Sequence, residues 1–335
     1  MTVQQKAFKS RRRYNQWVTN QTLEDFALRY TPVSARRWSA KQVVMTALSA
    51  ITFLALEAIG GALTLTYGFN YVVVAVILVS IIIFALSMPI AINAAKNGLD
   101  IDLLTRGAGF GYLGSTVTSL IYASFTFIFF ALEAAIMAMA LNMLFGLPLH
   151  FGYLIGSVVV IPLVTWGFTF ISRFQQFTQF CWLALQLLPF IFILIREHHV
   201  LQNWIDFPGF ITARDGSFDF LQLGAVCSVL LSLVSQVGEQ VDQVRFLPKP
   251  QHPARWRWYG AVIAAGPGWV VIGAIKILLG SFLAVLAFNY GLGAELASEP
   301  THMYLVAFSY VTHSSSTLLA LTGIFVVLSQ LKINV

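Results

Sequence analysis

The sequence predicts an all-α, polytopic membrane protein, and three observations predict it. Of 335 residues 58% are hydrophobic and 10% are charged, with a mean hydropathy of +0.76; soluble domains carry about 25% charged residues. The apolar residues gather into about eight stretches, each near the roughly 20 residues that a bilayer-spanning helix needs. Polar residues inside those stretches are sparse and sit beside glycines, the pattern of a helix opened around a solute rather than of a soluble core.

The stretches lie near residues 41–67, 69–95, 114–143, 151–171, 176–195, 220–244, 259–288 and 305–331. Ahead of them, residues 1–40 form a cytoplasmic segment, and 41–335 the transmembrane domain. Lys9, Arg11, Arg12 and Arg13 lack an apolar run directly behind them, so no cleavable signal peptide is read here. Thr22 with Asp25 resembles a capping box for a short surface helix that Pro32 ends. Arg36, Arg37 and Trp38 then suit the membrane surface. The sequon at Asn20 to Thr22 falls on the cytoplasmic side, where glycosylation is not expected.

Within the first span, Glu57 is followed by Ala58, Gly60 and Gly61, a candidate helix break with a carboxylate beside it. The third span carries Phe129 and Glu133, four residues apart and so on one helix face. An aromatic plate next to a carboxylate suits a flat heterocycle, its ring stacked and its N–H groups accepted, although Phe129 alone is more often packing than pocket. A lone carboxylate at that depth is functional or paired. In the sixth span, Gln236, Gly238, Glu239, Gln240 and Asp242 crowd the second half, which reads as a broken helix at a solute site. Lys276 in the seventh span either pairs with a carboxylate or reaches a polar cavity, and Lys332 lies in the last apolar turns of the eighth.

Orientation follows from the basic residues. Of 20 lysines and arginines, only Arg196 and Arg214 fall in loops of one face, and Lys276 and Lys332 lie inside spans; the rest sit at the N-terminus or in loops around 96–113, 172–175 and 245–258. The positive-inside rule places the N-terminus in the cytoplasm of an inner, or plasma, membrane.

Other chemistries find little support. The loop holding Arg106, Gly107, Gly109, Phe110, Gly111 and Gly114 mimics a dinucleotide glycine pattern, but no strand precedes it, so it reads as a tight cytoplasmic turn. Cys181 and Cys227 give no zinc spacing or disulfide framework. His198 and His199 sit at an outer helix end without metal-ligand spacing. No nucleophile–base pair stands out. No enzyme, cofactor, metal or nucleic-acid partner is expected.

Arg36 and Trp38 after Pro32, the loop from Arg106 to Gly114, and Asp242, Arg245 and Phe246 closing the sixth span together resemble the nucleobase:cation symporter-1 family of purine, cytosine, hydantoin and allantoin permeases. The resemblance runs from about residue 20 to the end. It implies an inverted-repeat, leucine-transporter-type fold of five helices plus five, with the first repeat at about 41–195 and part of the second at about 220–335. It also implies broken first and sixth helices and a substrate held by Phe129, Glu133, Gln236, Gly238 and Glu239. Several positions depart from the family pattern. Glu133 stands where the family has a glutamine, Glu239 where an asparagine is usual, and Leu233 where a stacking tryptophan is found. Lys332 and Ile333 replace the adjacent hydroxyls that hold sodium in relatives, and a fixed ammonium repels sodium. The implied function is transport of a nucleobase-like solute by alternating access, coupled to protons or at least not to sodium, with Glu57 and Lys332 as coupling or charge partners. A second reading is a permease-like solute sensor feeding a fused or downstream kinase-type signalling domain. Val335 falls inside or just after the eighth span, which is read as a fragment or a truncated product.

Overall fold

The computed structural model describes residues 30–165, 167–197, 199–211, 218–250 and 255–334. The capping pair Thr22 and Asp25, the basic run Lys9 to Arg13, the sequon and His198 lie outside these residues. Among the described residues the chain is helical, with no strand. Six helical stretches are long and apolar enough to cross a bilayer, and a bent pair of shorter helices makes a seventh. The protein is a multi-pass membrane protein.

That bent pair comes first. α1 (Ala40–Ser49) starts at Ser39, whose hydroxyl accepts the Gln42 amide at 3.2 Å, a standard N-cap. It ends at Ala50, and α2 (Leu54–Tyr67) resumes after Phe53 at an angle of 48°. The break is therefore Ala50–Phe53. Ala58, Gly60 and Gly61, expected to open this helix, lie inside α2 instead. Their smallness serves close packing: a Cβ on Gly60 would collide with the Ile277 carbonyl, and one on Gly280 with the backbone of Glu57. Without water to drive association, small residues are what let two membrane helices approach this closely.

α3 (Phe69–Asn97) follows across Gly68, whose φ of +88° admits the sharp reversal. It ends at Gly98 (φ +70°), an αL cap that glycine adopts without strain. The chain before α1 packs against this end. Arg36 donates to the carbonyls of Thr31 (3.1 Å) and Ala95 (2.9 Å), and Trp38 meets Phe246 edge-on at 4.9 Å. Both are buried, so these two are interior clamps rather than surface anchors; the carbonyls exposed at a helix end are a better partner for a guanidinium than the bilayer surface.

α4 (Ile101–Thr105) is capped by Asp100, which accepts the Leu103 amide at 2.8 Å. A wide turn at Arg106–Phe110, with Gly109 at φ +109° and Gly111 at φ +64°, leads into α5 (Gly111–Phe145). The glycine-rich segment is thus a turn inside a helical stretch, as its lack of a preceding strand indicated. α6 (Leu149–Val158) and α7 (Val160–Thr165) form a shorter apolar unit. α8 runs unbroken over Phe168–Arg196, so the expected loop at 172–175 is helix. Arg173 misled there: one charge was read as a boundary, whereas the real break falls at Gly167, whose φ of +75° stops one helix before the next begins.

α9 (Val200–Ile205) carries Trp204, which donates to the Ser281 hydroxyl at 2.8 Å. Next, α10 (Phe220–Leu231) starts at Asp219 and tightens into a 3₁₀ turn at Ser232–Gln236 before α11 (Val237–Val244). α12 (Arg255–Ala265) and α13 (Trp269–Asn289) form one stretch interrupted at Gly266–Gly268. α14 (Ala294–Ala297) and α15 (Pro300–Ser309) precede α16 (Ser315–Asn334). The expected span at 305–331 is therefore two helices separated by residues 310–314, where Thr312 accepts the Ser314 amide and terminates the turn.

Two buried clusters hold the bundle. One joins α1, α3, α11, α12 and the start of α13 through Val43, Val72, Val244 and Trp269. The other joins α2, α13, α15 and α16 through Leu54, Leu283, Phe308 and Phe325.

Candidate functional site

A cavity of about 260 Å³ opens beside the α1–α2 break. It is lined by Phe53, Phe129 and Glu133 together with Gln236 and Glu239. From there the lining runs through Thr46, Gln243 and Asn334 toward the face where α1 begins. Four of the five expected substrate residues, Phe129, Glu133, Gln236 and Glu239, thus meet in one place. Gly238 does not join them. A Cβ there would meet the Tyr122 ring at 2.6 Å, so this glycine lets α11 lie flush on α5. Leu233 also turns away, buried among Leu56, Val79 and Trp269.

The aromatic part of the site is larger than Phe129 alone. Phe125 lies 4.6 Å from it and Phe53 meets it edge-on at 5.8 Å. Phe125, Phe129 and Glu133 share one face at steps of four residues, a periodicity that carries the reading one turn further back. Phe53 had no comparable signal, because its position depends on where the helix breaks.

Glu133 has two duties. Its Oε1 accepts the Ala55 amide at 3.0 Å, satisfying an orphan donor at the start of α2. Its Oε2 is buried without a hydrogen-bond partner, and the side chain is 1% exposed. In the same cavity, Gln236 donates its amide to Glu239.

Glu57 sits outside the cavity, on the far side of the break. Its Oε1 accepts from Lys276 Nζ at 2.7 Å and from the Tyr304 hydroxyl at 3.0 Å. Tyr304 in turn accepts from Gln186 at 2.6 Å, and the Lys276 ammonium lies 5.4 Å over the Trp182 ring. The pair ties α2 to α13, which settles the role of Lys276 as a carboxylate partner.

Lys332 is fully buried and reaches no carboxylate within 4 Å among the described residues. Its Nζ donates to Gln175 Oε1 (2.8 Å), the Gln175 carbonyl (3.1 Å) and Thr178 (3.1 Å), while Gln175 donates back to the Lys332 carbonyl at 2.5 Å. These bonds fasten α16 to α8. Close by, Thr52 from the break donates to the Ser329 carbonyl at 2.9 Å, and Trp182 donates to the Ser329 hydroxyl at 2.8 Å.

The architecture has a solved counterpart. It is the leucine-transporter-type inverted-repeat fold. The chain superposes on Mhp1, a nucleobase-cation-symport-1 family transporter whose structure was determined in a closed conformation with bromovinylhydantoin bound, at a TM-score of 0.64 and 16% identity. The match covers 91% of this chain and 65% of Mhp1, so this chain spans somewhat less than two thirds of that protein's length. No protein-family model matches the sequence, and no curated protein matches it. At this identity the likeness defines the fold.

Proposed function

We propose that the protein carries a nucleobase-like heterocycle across a plasma (inner) membrane by alternating access, without sodium, and that its N-terminus is cytoplasmic. The observation that carries this reading is the cavity at the α1–α2 break, walled by Phe53, Phe125 and Phe129 and edged by Glu133 and Glu239. Its volume lies just below the range of about 300–1,000 Å³ for drug-sized ligands, which suits a single flat ring. Ring faces pack on the phenylalanines, and ring N–H groups meet the carboxylates.

Two interrupted helices meet at this point: the α1–α2 break and the 3₁₀ turn between α10 and α11. Irregular backbone at membrane depth is tolerated where it lines a cavity, and it supplies the bending points for alternating access. The cavity extends toward the face where α1 begins, which the distribution of basic residues makes cytoplasmic. On the other side of the break, the Glu57–Lys276–Tyr304 network and α15 close the path. On this reading the cavity opens to the cytoplasm. The reading without sodium rests on Lys332: its ammonium is held against α8 where the resemblance locates the sodium hydroxyls, and a fixed positive charge there opposes a cation.

The test is ligand-dependent thermal stabilisation of the purified protein with nucleobases, hydantoins and allantoin, in sodium and in potassium, followed by uptake into proteoliposomes. Stabilisation by a ring in both salts, with uptake, is the expected result. Failure of every ring overturns the proposal. Binding without uptake replaces it with the sensor reading, and sodium-dependent binding overturns the assignment of Lys332.

A further inference from the structure

We infer that the solute's recognised edge is cationic or rich in N–H donors, as in a protonated amino-substituted N-heterocycle, and that Glu133 and Glu239 select it; this rests on the cavity being the solute site. The motivating observation is an imbalance among the hydrogen-bonding groups of the walls. Gln243 Oε1 is buried without a partner, and Glu133 Oε2 makes no hydrogen bond within 3.5 Å, although the Gln330 side chain, itself unpartnered, lies beside Glu133. Because Glu133 Oε1 is pinned by the Ala55 amide, the free oxygen is held in place rather than swinging to a new donor.

Donors on the walls are mostly spent. Thr46 donates to the Gln42 carbonyl at 2.9 Å, Thr126 to the Ala123 carbonyl at 2.8 Å, and Gln175 to the Lys332 carbonyl. The Gln236 amide is committed to Glu239. Among the lining donors Asn334 Nδ2 is buried without a partner. No lysine, arginine or histidine lines the cavity among the described residues. The two buried ammonium groups are engaged elsewhere, Lys276 on Glu57 and Lys332 on Gln175.

An incoming ring therefore meets more acceptors than free donors. A buried acceptor left unmade is costly, more so when charged, and a ligand N–H removes that penalty. A carbonyl edge would instead set lone pair against lone pair. The phenylalanine faces favour a cationic ring further.

The test uses two matched five-membered rings on the full chain in detergent, read by calorimetric titration. 2-Aminoimidazole is a planar cation at neutral pH, and 2-imidazolone is a neutral ring with a carbonyl in the same place. The amino ring is expected to bind about tenfold tighter or more, and Glu133→Gln to erase most of that preference. Glu239→Gln, which leaves the contact with Ala55 untouched, supplies a second variant if Glu133→Gln folds poorly. Equal or tighter binding of 2-imidazolone overturns the inference and leaves the solute site standing. So does binding of neutral nucleobases or hydantoins when neither small ring binds. A preference that survives in both variants removes the carboxylates from the assignment. Failure of all rings overturns the solute site itself.

Discussion

Replacing Lys276 by methionine strands a carboxylate in the membrane interior. The Lys276–Glu57 pair is separated by 2.7 Å, with side-chain exposures of 3% and 0%. At an effective dielectric of about 20, that separation corresponds to about 6 kcal/mol of attraction. Desolvating the two ions opposes it with several kcal/mol each, so the intact pair contributes little net stability. Removing one partner is different, because the penalty on the other remains; the general cost is about 3–5 kcal/mol. Tyr304 still donates to Glu57 at 3.0 Å, so Lys276→Met is predicted to cost about 3 kcal/mol, the lower end of that range. The double variant Glu57→Leu with Lys276→Met is predicted to recover most of the loss, since Gln186 Oε1 is buried without a partner beside Tyr304 and can accept its hydroxyl. Unfolding in mixed micelles under increasing denaturant, run on both variants and the parent, measures both numbers. A single variant as stable as the parent refutes the reasoning, and so does a double variant as unstable as the single.

Three further predictions follow from contacts described above. Gly60→Val should abolish accumulation of folded protein, because its Cβ meets the Ile277 backbone, which has no rotamer to move; a monodisperse chromatographic peak at parental yield would contradict this. Gly238→Ala is expected to cost about 1–3 kcal/mol through the Tyr122 ring yet leave relative ligand affinities unchanged, unlike Glu133→Gln; a changed ligand ranking in titration would return Gly238 to the site. Lys332→Ala removes three hydrogen bonds to α8 and should cost about 1.5–3 kcal/mol without creating sodium-dependent stabilisation; a melting temperature rising with sodium but not potassium in that variant would show that the ammonium alone kept sodium out.

Much of this was legible in the residues, and the limits were local. Fold class followed from composition and the spacing of apolar runs, because a bilayer imposes helix length independently of sequence detail. The cavity was legible at Glu133 and Glu239, since a carboxylate at membrane depth must have a purpose, and at Phe129 through helical spacing. Glycines misled. Gly60, Gly61 and Gly238 carry the residue type of a break, but a glycine that admits a neighbouring helix has the same sequence signature as one that lets the chain unwind. The true break at Ala50–Phe53 contains no glycine; it is set by Thr52 binding α16 and Glu133 binding the Ala55 amide, both long-range contacts. Arg173 and the residues between α15 and α16 show the same limit in the placing of boundaries. Gln175 carries no sequence signal because the basic Arg173 nearby marks a loop, whereas inside α8 it is the partner of Lys332.

The close approach of α2 and α13 bears on how such a chain can diverge. Gly60 and Gly280 cannot grow without parting the two helices, and Glu57 cannot change without Lys276. In the cavity wall, Glu133 and Gln175 are tied to neighbouring backbone, at the Ala55 amide and the Lys332 carbonyl, while Phe53, Phe125 and Phe129 meet through their rings. Mutation therefore has a free register and a frozen one in the same molecule. Gly60, Gly280, Glu57 and Lys276 fix the seam between α2 and α13, and substitutions of the wall phenylalanines leave that seam untouched.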